Sequence, residues 1–449
     1  MTAFAILSVV VAGSVCVTTA GSGARQRSAA ASRVALAGVS LRENNPELSL
    51  ILGATAMRLD PDPLVRAALM DGIMATRQQQ LAGSADIWAA ALSADGRLAF
   101  TSDNGRGVRV RPLPDRRSVR DEVYMPASFL LKDAAAGEVA LSLDGKVALI
   151  DTANVWDPPV EIWDLTKPKK PRHSATFEGG QPEGDVESLT ITPDGRTALV
   201  NRTDSETDVG HVLVLDITDR SHPVKVASLS SKKTGSGRLG VDATDKVAVI
   251  VGKDGAVVWD ITDPSKPKET ASIRRPGTAE WRSVALGPEG DVMVVGTGDG
   301  AVVWDLPSGG DPVQRGAFSQ GTGPVDMMSA VSDRHTVLIR QGIYSVALWE
   351  ITDPSHPFKV AQLGGVDSFA RSVALSRNGM TAFVGVNQGS GIWWNLAEIS
   401  GDPLRDLCRG GAAPSGFILD KDKWDRYVGE GWADHFGDRT FFQPCSDPL

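Results

Sequence analysis

Two short landmarks recur in one phase along most of the chain, and this periodicity restricts the fold more than any other feature. The first is a tight turn between apolar runs. It stands at Asp95-Gly96, Asp144-Gly145, Asp194-Gly195, Thr244-Asp245, Glu289-Gly290, Arg334-His335 and Asn378-Gly379, with spacings of 49, 50, 50, 45, 45 and 44 residues. Asp-Gly and Asn-Gly tolerate the positive φ that a type I′ turn imposes on both central residues, so each landmark predicts a hairpin. The second is a Trp-Asp-like pair ending a short apolar strand: Trp163-Asp164, Leu215-Asp216, Trp259-Asp260, Trp304-Asp305, Trp349-Glu350 and Trp394-Asn395, with Arg111-Pro112 holding the place in the first unit. From Leu215 onward its steps are 44, 45, 45 and 45 residues.

Within one unit the strands can be read directly. Ser283-Val284-Ala285-Leu286 leads to the Glu289-Gly290 turn, Val292-Met293-Val294-Val295 to a Gly-Asp-Gly turn, and Ala301-Val302-Val303-Trp304 follows. A fourth strand comes after a proline-bearing turn, of which Asp263-Pro264-Ser265-Lys266-Pro267, Asp353-Pro354-Ser355-His356-Pro357 and Asp219-Arg220-Ser221-His222-Pro223 are near copies. Proline is acceptable there because a connection to an outer edge strand needs no ladder hydrogen bond. Four strands in about 45 residues form one propeller blade. Over residues 77 to 398 the sequence resembles the WD40-like β-propeller family, although the usual Gly-His element is absent and the Trp-Asp pair gives way to Leu-Asp, Trp-Glu, Trp-Asn or Arg-Pro in several units. The stretch Trp-Asp-Ile-Thr-Asp-Pro-Ser-Lys-Pro is similar to a proline-punctuated variant common in bacterial membrane-anchored propeller proteins. There a helical neck precedes the blades and a short Cys-containing helical tail follows; Cys408, Trp424, Tyr427 and Cys445 match that tail. The resemblance implies an all-β fold, a seven-bladed β-propeller over residues 77–402. Residues 77 to 83 are expected to supply the outer strand that the last unit lacks, removing an open edge.

Residues 1–23 are expected to be a membrane-spanning or signal segment. Nothing from Phe4 to Ala20 is charged, and that run of 17 residues sits at the short limit for a spanning helix. No Lys or Arg precedes it, which favours an anchor over a signal peptide. Residues 24–76 read as a helical neck. Apolar residues recur at helical spacing through Val34, Leu36, Val39 and Leu41, and breaks at Asn44-Asn45-Pro46 and Asp60-Pro61-Asp62-Pro63 each place a proline in the first turn of the next helix. Residues 403–449 read as a small helical cap, with Leu404, Leu407, Trp424, Tyr427 and Trp432 expected to pack against the propeller. Cys408 and Cys445 are candidates for a disulfide in an oxidising compartment, and are two inert thiols in a reducing one. Orientation is contradictory: Arg25, Arg27 and Arg33 argue for a cytoplasmic body, the cysteine pair for an extracytoplasmic one, which is the reading adopted.

The net charge of −9 argues against sequence-independent nucleic-acid binding. Gly235-Ser236-Gly237-Arg238-Leu239-Gly240 lacks a phosphate-binding Lys and reads as a loop, and no Gly-x-Ser-x-Gly elbow occurs. None of the histidines pairs at metal-ligand spacing; His222 and His356 occupy one position of the repeated proline turn. Asp420-x-Asp422 with Asp425 reads as a solvated helix start, and Trp393-Trp394 as core. No catalytic, cofactor or metal residue is identified. The expected function is a non-catalytic protein-interaction scaffold or sensor, monomeric and tethered to a membrane through its N-terminus, in a signalling assembly with an unidentified protein partner. The alternative is a propeller hydrolase or lactonase using off-register carboxylates near inner strands, such as Asp185, Glu187 and Asp326.

Overall fold

The computed structural model describes residues 20–42, 44–81, 86–103, 107–113, 137–151, 159–168, 170–178, 185–204, 209–230, 237–318, 323–364, 366, 369–387, 391–396, 403–409, 418–429 and 440–446. Two compact units emerge: residues 1–72 with 403–449, and residues 73–402. No helix among the described residues is long and apolar enough to cross a membrane, and residues 4–19 of the expected anchor lie outside them.

The second unit is a seven-bladed β-propeller. Blade I contains Ile87–Leu92, Leu98–Asp103 and Gly107–Pro112; blade II contains Val139–Leu141, Val147–Asp151, Val160–Asp164 and Arg172–Phe177. Blade III runs through Asp185–Ile191, Thr197–Asp204, Val209–Asp216 and Val224–Ser230, and blade IV through Gly237–Val241, Val247–Gly252, Gly255–Asp260 and Lys268–Arg274. Blade V comprises Trp281–Leu286, Val292–Thr297, Gly300–Asp305 and Val313–Ala317; blade VI comprises Met327–Met328, Thr336–Gln341, Ser345–Glu350 and Phe358–Leu363. Blade VII takes Ala370–Leu375, Thr381–Val386 and Gly391–Asn395 from the end of the repeat and Gln78–Leu81 from its beginning. The early strand pairs antiparallel with the late one, Gln78 opposite Trp394 and Leu81 opposite Gly391, within the segment expected to close the ring.

All seven turn landmarks mark the hairpin between the first and second strands of a blade. Their second residues have positive φ, from 54° at His335 to 76° at Gly290. The turn type differs from the expectation. Among the described residues only Asp245 and His335 are non-glycine residues with positive φ, so the first residue of each pair is right-handed or extended rather than type I′. The hydrogen bonds show why: in blade I the Gly96 N–H donates to Ser93 O (2.9 Å), while Asp95 Oδ1 accepts from Ser93 Oγ (2.6 Å) and from Arg97 N–H (3.0 Å). The turn is a polar box, Ser/Thr-x-Asp/Asn-Gly, with left-handed backbone only at its last residue. Ser142-Asp144, Thr192-Asp194 and Ser376-Asn378 repeat it. In blade IV, Asp242 takes over the hydroxyl's part, accepting from Lys246 N–H and Val247 N–H at 2.9 Å each. Several neighbouring boxes are bonded backbone to backbone, including Asn378 N–H to Ala94 O (3.2 Å) across the ring closure.

The core lies between blades. One buried cluster joins Val249, Val251 and Val258 of blade IV to Leu286, Met293 and Trp304 of blade V, and another joins Val294 and Val303 of blade V to Val337, Ile339 and Trp349 of blade VI. Each blade is therefore half a core that its neighbour completes, which makes the ring cooperative around its circumference.

In the first unit, helix α1 spans Ala20–Leu41, while α2 (Pro46–Leu59) and α3 (Pro63–Arg77, which runs across the boundary) start at the prolines expected to open them. Asn45 Oδ1 caps α2 through Leu48 N–H (3.1 Å), and Asp62 Oδ1 caps α3 through Leu64 and Val65 N–H (2.7 and 2.9 Å). The tail adds α4 (Pro403–Arg409) and α5 (Lys421–Tyr427). Its partners within the unit are neck residues: Arg33 Nη2 donates to Val428 O (2.6 Å) and Arg58 Nε to Pro444 O (2.8 Å). Arg33 is thus a structural residue of this unit, and Trp432 lies outside the described residues. Asp420 is the N-cap of α5, accepting from Lys423 N–H (2.9 Å).

Candidate functional site at the channel mouth

The inner strands of a propeller line its central channel, so their irregularities decide what the channel mouth presents. Four inner strands carry a β-bulge at one repeat position. The pairing skips Trp88 in blade I, Glu187 in blade III, Arg282 in blade V and Arg371 in blade VII. Each of these residues stands five positions before the residue that opens its turn box, Ser93, Thr192, Gly287 or Ser376. A bulge sets two residues against one and re-aims a side chain that a regular strand would send elsewhere. Here it puts two arginines, a glutamate and a tryptophan at the end of the channel away from the turn boxes.

On the side of blades VI, VII and I the mouth is cationic and aromatic. Arg340, 4% exposed, donates from Nη2 to Asp326 Oδ2 (2.6 Å) and from Nη1 to Ala370 O (2.5 Å). Its guanidinium carbon lies 5.5 Å from the centre of the Phe369 ring. Arg371 lies 4.7 Å from the same ring and 5.8 Å from that of Trp88, and its Nε donates to Asn387 Oδ1 (2.8 Å). Alternating cation and ring in this way stiffens long side chains that otherwise carry considerable rotamer entropy.

Blades II, III and IV supply an acidic counterpart. Arg238 Nη1 donates to Glu138 Oε1 (2.7 Å) and to the carbonyl of the bulged Glu187 (2.5 Å). Asp151 Oδ1 accepts from Glu138 N–H (2.6 Å). Asp151 is 4% exposed, and burial pushes its carboxyl up to about 7. Burial also raises Glu138, against the opposing pull of Arg238. Arg238 comes from the glycine-rich stretch expected to be a loop. Its residues 237–240 form instead the inner strand of blade IV, and glycine is needed at 237 because a Cβ there would meet the Val251 carbonyl. Gly235 and Ser236 lie outside the described residues.

A third polar group sits where blade I departs from the repeat. Arg111, in the Trp position, reaches Asp103 Oδ2 (3.4 Å) and Thr101 Oγ1 (3.2 Å), and Arg109 pairs with the same carboxylate at 2.6 Å. Burial raises the Asp103 carboxyl despite both guanidinium groups.

The repeat residues prove to be framework. Trp163, Trp304, Trp349 and Trp394 are buried and Trp259 is half-buried. Trp163 Nε1 donates to Glu161 Oε2 (2.9 Å), whereas the indole N–H groups of Trp259, Trp304, Trp349 and Trp394 have no acceptor among the described residues. Asp164 and Asp260 each accept the N–H of the Thr two residues on at 2.9 Å, and Asp305 accepts from Arg315 at 2.8 Å. Bonds from Thr262 hold the Asp260 carboxyl below the usual range. His222 and His356 are exposed turn residues against Asp219 and Asp353 (3.0 and 2.8 Å). Trp393 is core as well, at 3% exposure. The structure joins Cys408 and Cys445 in a disulfide, Cα atoms 5.3 Å apart. The off-register carboxylates do not converge: Asp185 is exposed and Glu187 sits on blade III, while Asp326 is held by Arg340 beside blade VI. Among the described residues no three His, Cys, Asp or Glu side chains are grouped to hold a metal. A cavity of about 750 Å³ opens between blades IV and V, lined by Trp259, Thr244, Glu289, Leu306 and Pro307, next to the turn boxes rather than at the polar mouth.

Fold and mouth together define a seven-bladed β-propeller whose channel entrance is built from bulged inner strands. No protein-family model matches the chain, and no curated protein does.

Proposed function

We propose that the chain is a WD40-like, non-catalytic binding module whose recognition face is the channel mouth, used as an interaction scaffold or sensor. The observation that carries this reading is the recurrence of the bulge: four blades depart from regular pairing at one repeat position, and each time a large polar or aromatic side chain results. A bulge gives up ladder pairing, so its repetition at the mouth points to use of those side chains. The test is affinity capture from a membrane extract, comparing the unaltered chain with Trp88→Ala, Glu187→Ala and Arg282→Ala at the mouth, and with Asp263→Ala and Asp353→Ala in the proline turns. Loss of a captured protein in the mouth variants alone supports the reading; equal capture by all of them overturns it.

The membrane tether and an extracytoplasmic body belong to the same proposal. They rest on the uncharged residues 4–20 and on the Cys408–Cys445 bridge, which persists outside reducing compartments. Carbonate extraction of membranes, followed by protease digestion of intact cells, checks both. The propeller-hydrolase reading draws on one observation, a carboxyl raised to about 7 at the mouth beside Glu138 and Arg238. Turnover of lactones or aryl esters that Glu138→Gln abolishes would favour it.

A further inference from the structure

We infer that Arg371 is the anchor of a receptor for small carboxylate-bearing ligands at the channel mouth. This rests on reading the mouth as the recognition face and names the ligand class that its cationic side takes. The guanidinium is fixed on three sides: rings at 4.7 Å (Phe369) and 5.8 Å (Trp88), and Asn387 Oδ1 at 2.8 Å from Nε. Asn387 is itself tied to the same wall, its N–H donating to Phe369 O (3.1 Å). With Nε engaged, the two Nη groups form the free end of the fork. No acceptor for them stands among the described residues, although the side chain is half-buried. A planar fork already oriented and stacked loses little entropy on receiving a carboxylate through two parallel N–H···O bonds.

The surrounding charge selects the anion. Arg340 is already neutralised by Asp326 at 2.6 Å, leaving Arg371 as the guanidinium on this wall with no carboxylate partner among the described residues. Across the ring Arg238 takes up Glu138 at 2.7 Å, Glu187 stands beside them on blade III, and the chain as a whole carries −9. One such guanidinium on a chain of net negative charge matches a monoanion and disfavours the dianionic phosphate. The Trp88 and Phe369 rings beside the fork suit the apolar body of an organic acid better than an inorganic ion.

The experiment is a ligand-observed NMR titration of the full chain with benzoate, with benzamide as the neutral isostere and inorganic phosphate as the competing anion. Expected are saturable benzoate binding, at least tenfold weaker binding of benzamide and phosphate, and at least tenfold weakening of benzoate in Arg371→Gln. Arg371→Lys, which keeps the charge but not the fork, is expected to lose nearly as much, and Asn387→Ala to lose severalfold by releasing Nε. Circular dichroism and thermal midpoints matched to the unaltered chain show that the variants are folded, and the Lys and Asn387 variants carry the test if the Gln variant is not. Absence of saturable benzoate binding, or benzoate binding unchanged in a folded Arg371 variant, overturns the inference, as does phosphate binding more tightly. If benzoate fails while mouth variants still lose the captured protein, this inference falls and the recognition face stands. If benzoate binds through Arg371 while capture is indifferent to the mouth, the scaffold reading falls and the receptor stands.

Discussion

His335 and Asp245 hold left-handed backbone, φ 54° and 62°, where their counterparts in the other blades are glycine. An L side chain in that region costs about 1 kcal/mol, less for Asp. The two sites differ in compensation. Asp245 Oδ1 accepts Asp194 N–H from the neighbouring blade (3.2 Å), so its side chain recovers part of that cost. His335→Gly is accordingly expected to stabilise the chain by about 0.5–1 kcal/mol and Asp245→Gly to leave it level or weaker, read as urea midpoints. Gly96→Ala runs the other way: φ is 70° and the new methyl would collide with the Thr381 side chain, so loss of at least about 2 kcal/mol is expected. Asp151 gives a pH-dependent counterpart. Below about pH 4 its carboxyl is protonated in both the folded and the unfolded chain. As pH rises toward 7 the unfolded chain releases the proton while the folded chain keeps it, so stability falls across that window and is flat above it. Asp151→Asn keeps the acceptor for Glu138 N–H and removes the buried charge. It is expected to match the unaltered chain at pH 4 and to exceed it at pH 8 by up to about 4 kcal/mol. A stability difference that does not change with pH would show that burial is not what sets this carboxyl.

Among the elements, the closing strand is the one on which the ring depends. Gln78–Leu81 covers an edge of the strand Gly391–Asn395 that would otherwise expose unpaired backbone. Introducing proline at both Gln79 and Gln80 removes a ladder donor whichever way the strand faces. The expected result is a lower, broader unfolding transition and concentration-dependent association by light scattering. This strand was legible in the sequence because the last unit visibly lacks its outer strand and a short segment stands ready at the other end of the repeat. The turn boxes were legible for the same reason: Asp-Gly in phase requires a hairpin, even though the phase does not distinguish a type I′ turn from a box with one left-handed residue. The bulges were not legible. A bulge is a relation between two strands, and Trp88, Glu187, Arg282 and Arg371 share no residue type, only a distance of five from the turn. That common offset is the signal a search aligned on the boxes would find. Arg111 was hidden differently. It breaks the Trp pattern and looks like decay of the repeat, whereas its partners Asp103 and Thr101 lie in the preceding strand, where no local motif links them.

At the scale of the whole molecule the chain is two units, and the cysteine bridge lies within one of them. Cys408 and Cys445 are separated by 37 residues, and both belong to the unit of residues 1–72 and 403–449. Closing a loop of that length removes unfolded-state entropy worth about 3–4 kcal/mol. That stabilisation acts on the neck and tail, where Leu407, Trp424 and Phe442 are buried, with Trp424 and Phe442 edge to face at 5.5 Å. The propeller has its own inter-blade cores and its own closing strand, and none of its strands contains a cysteine. Reduction, or the paired Cys408→Ser and Cys445→Ser substitutions, is therefore expected to lower one calorimetric transition by roughly 8–15 °C, the range for a unit of this size losing that much free energy. The other transition is expected to stay within about 1 °C, because the ring loses no constraint. Limited proteolysis gives the matching readout: cleavage after reduction should begin in residues 403–449 and leave a fragment spanning 73–402 intact. A single transition that moves as a whole on reduction would instead mean that the two units unfold as one cooperative body, with the bridge bracing the propeller as well as the neck and tail.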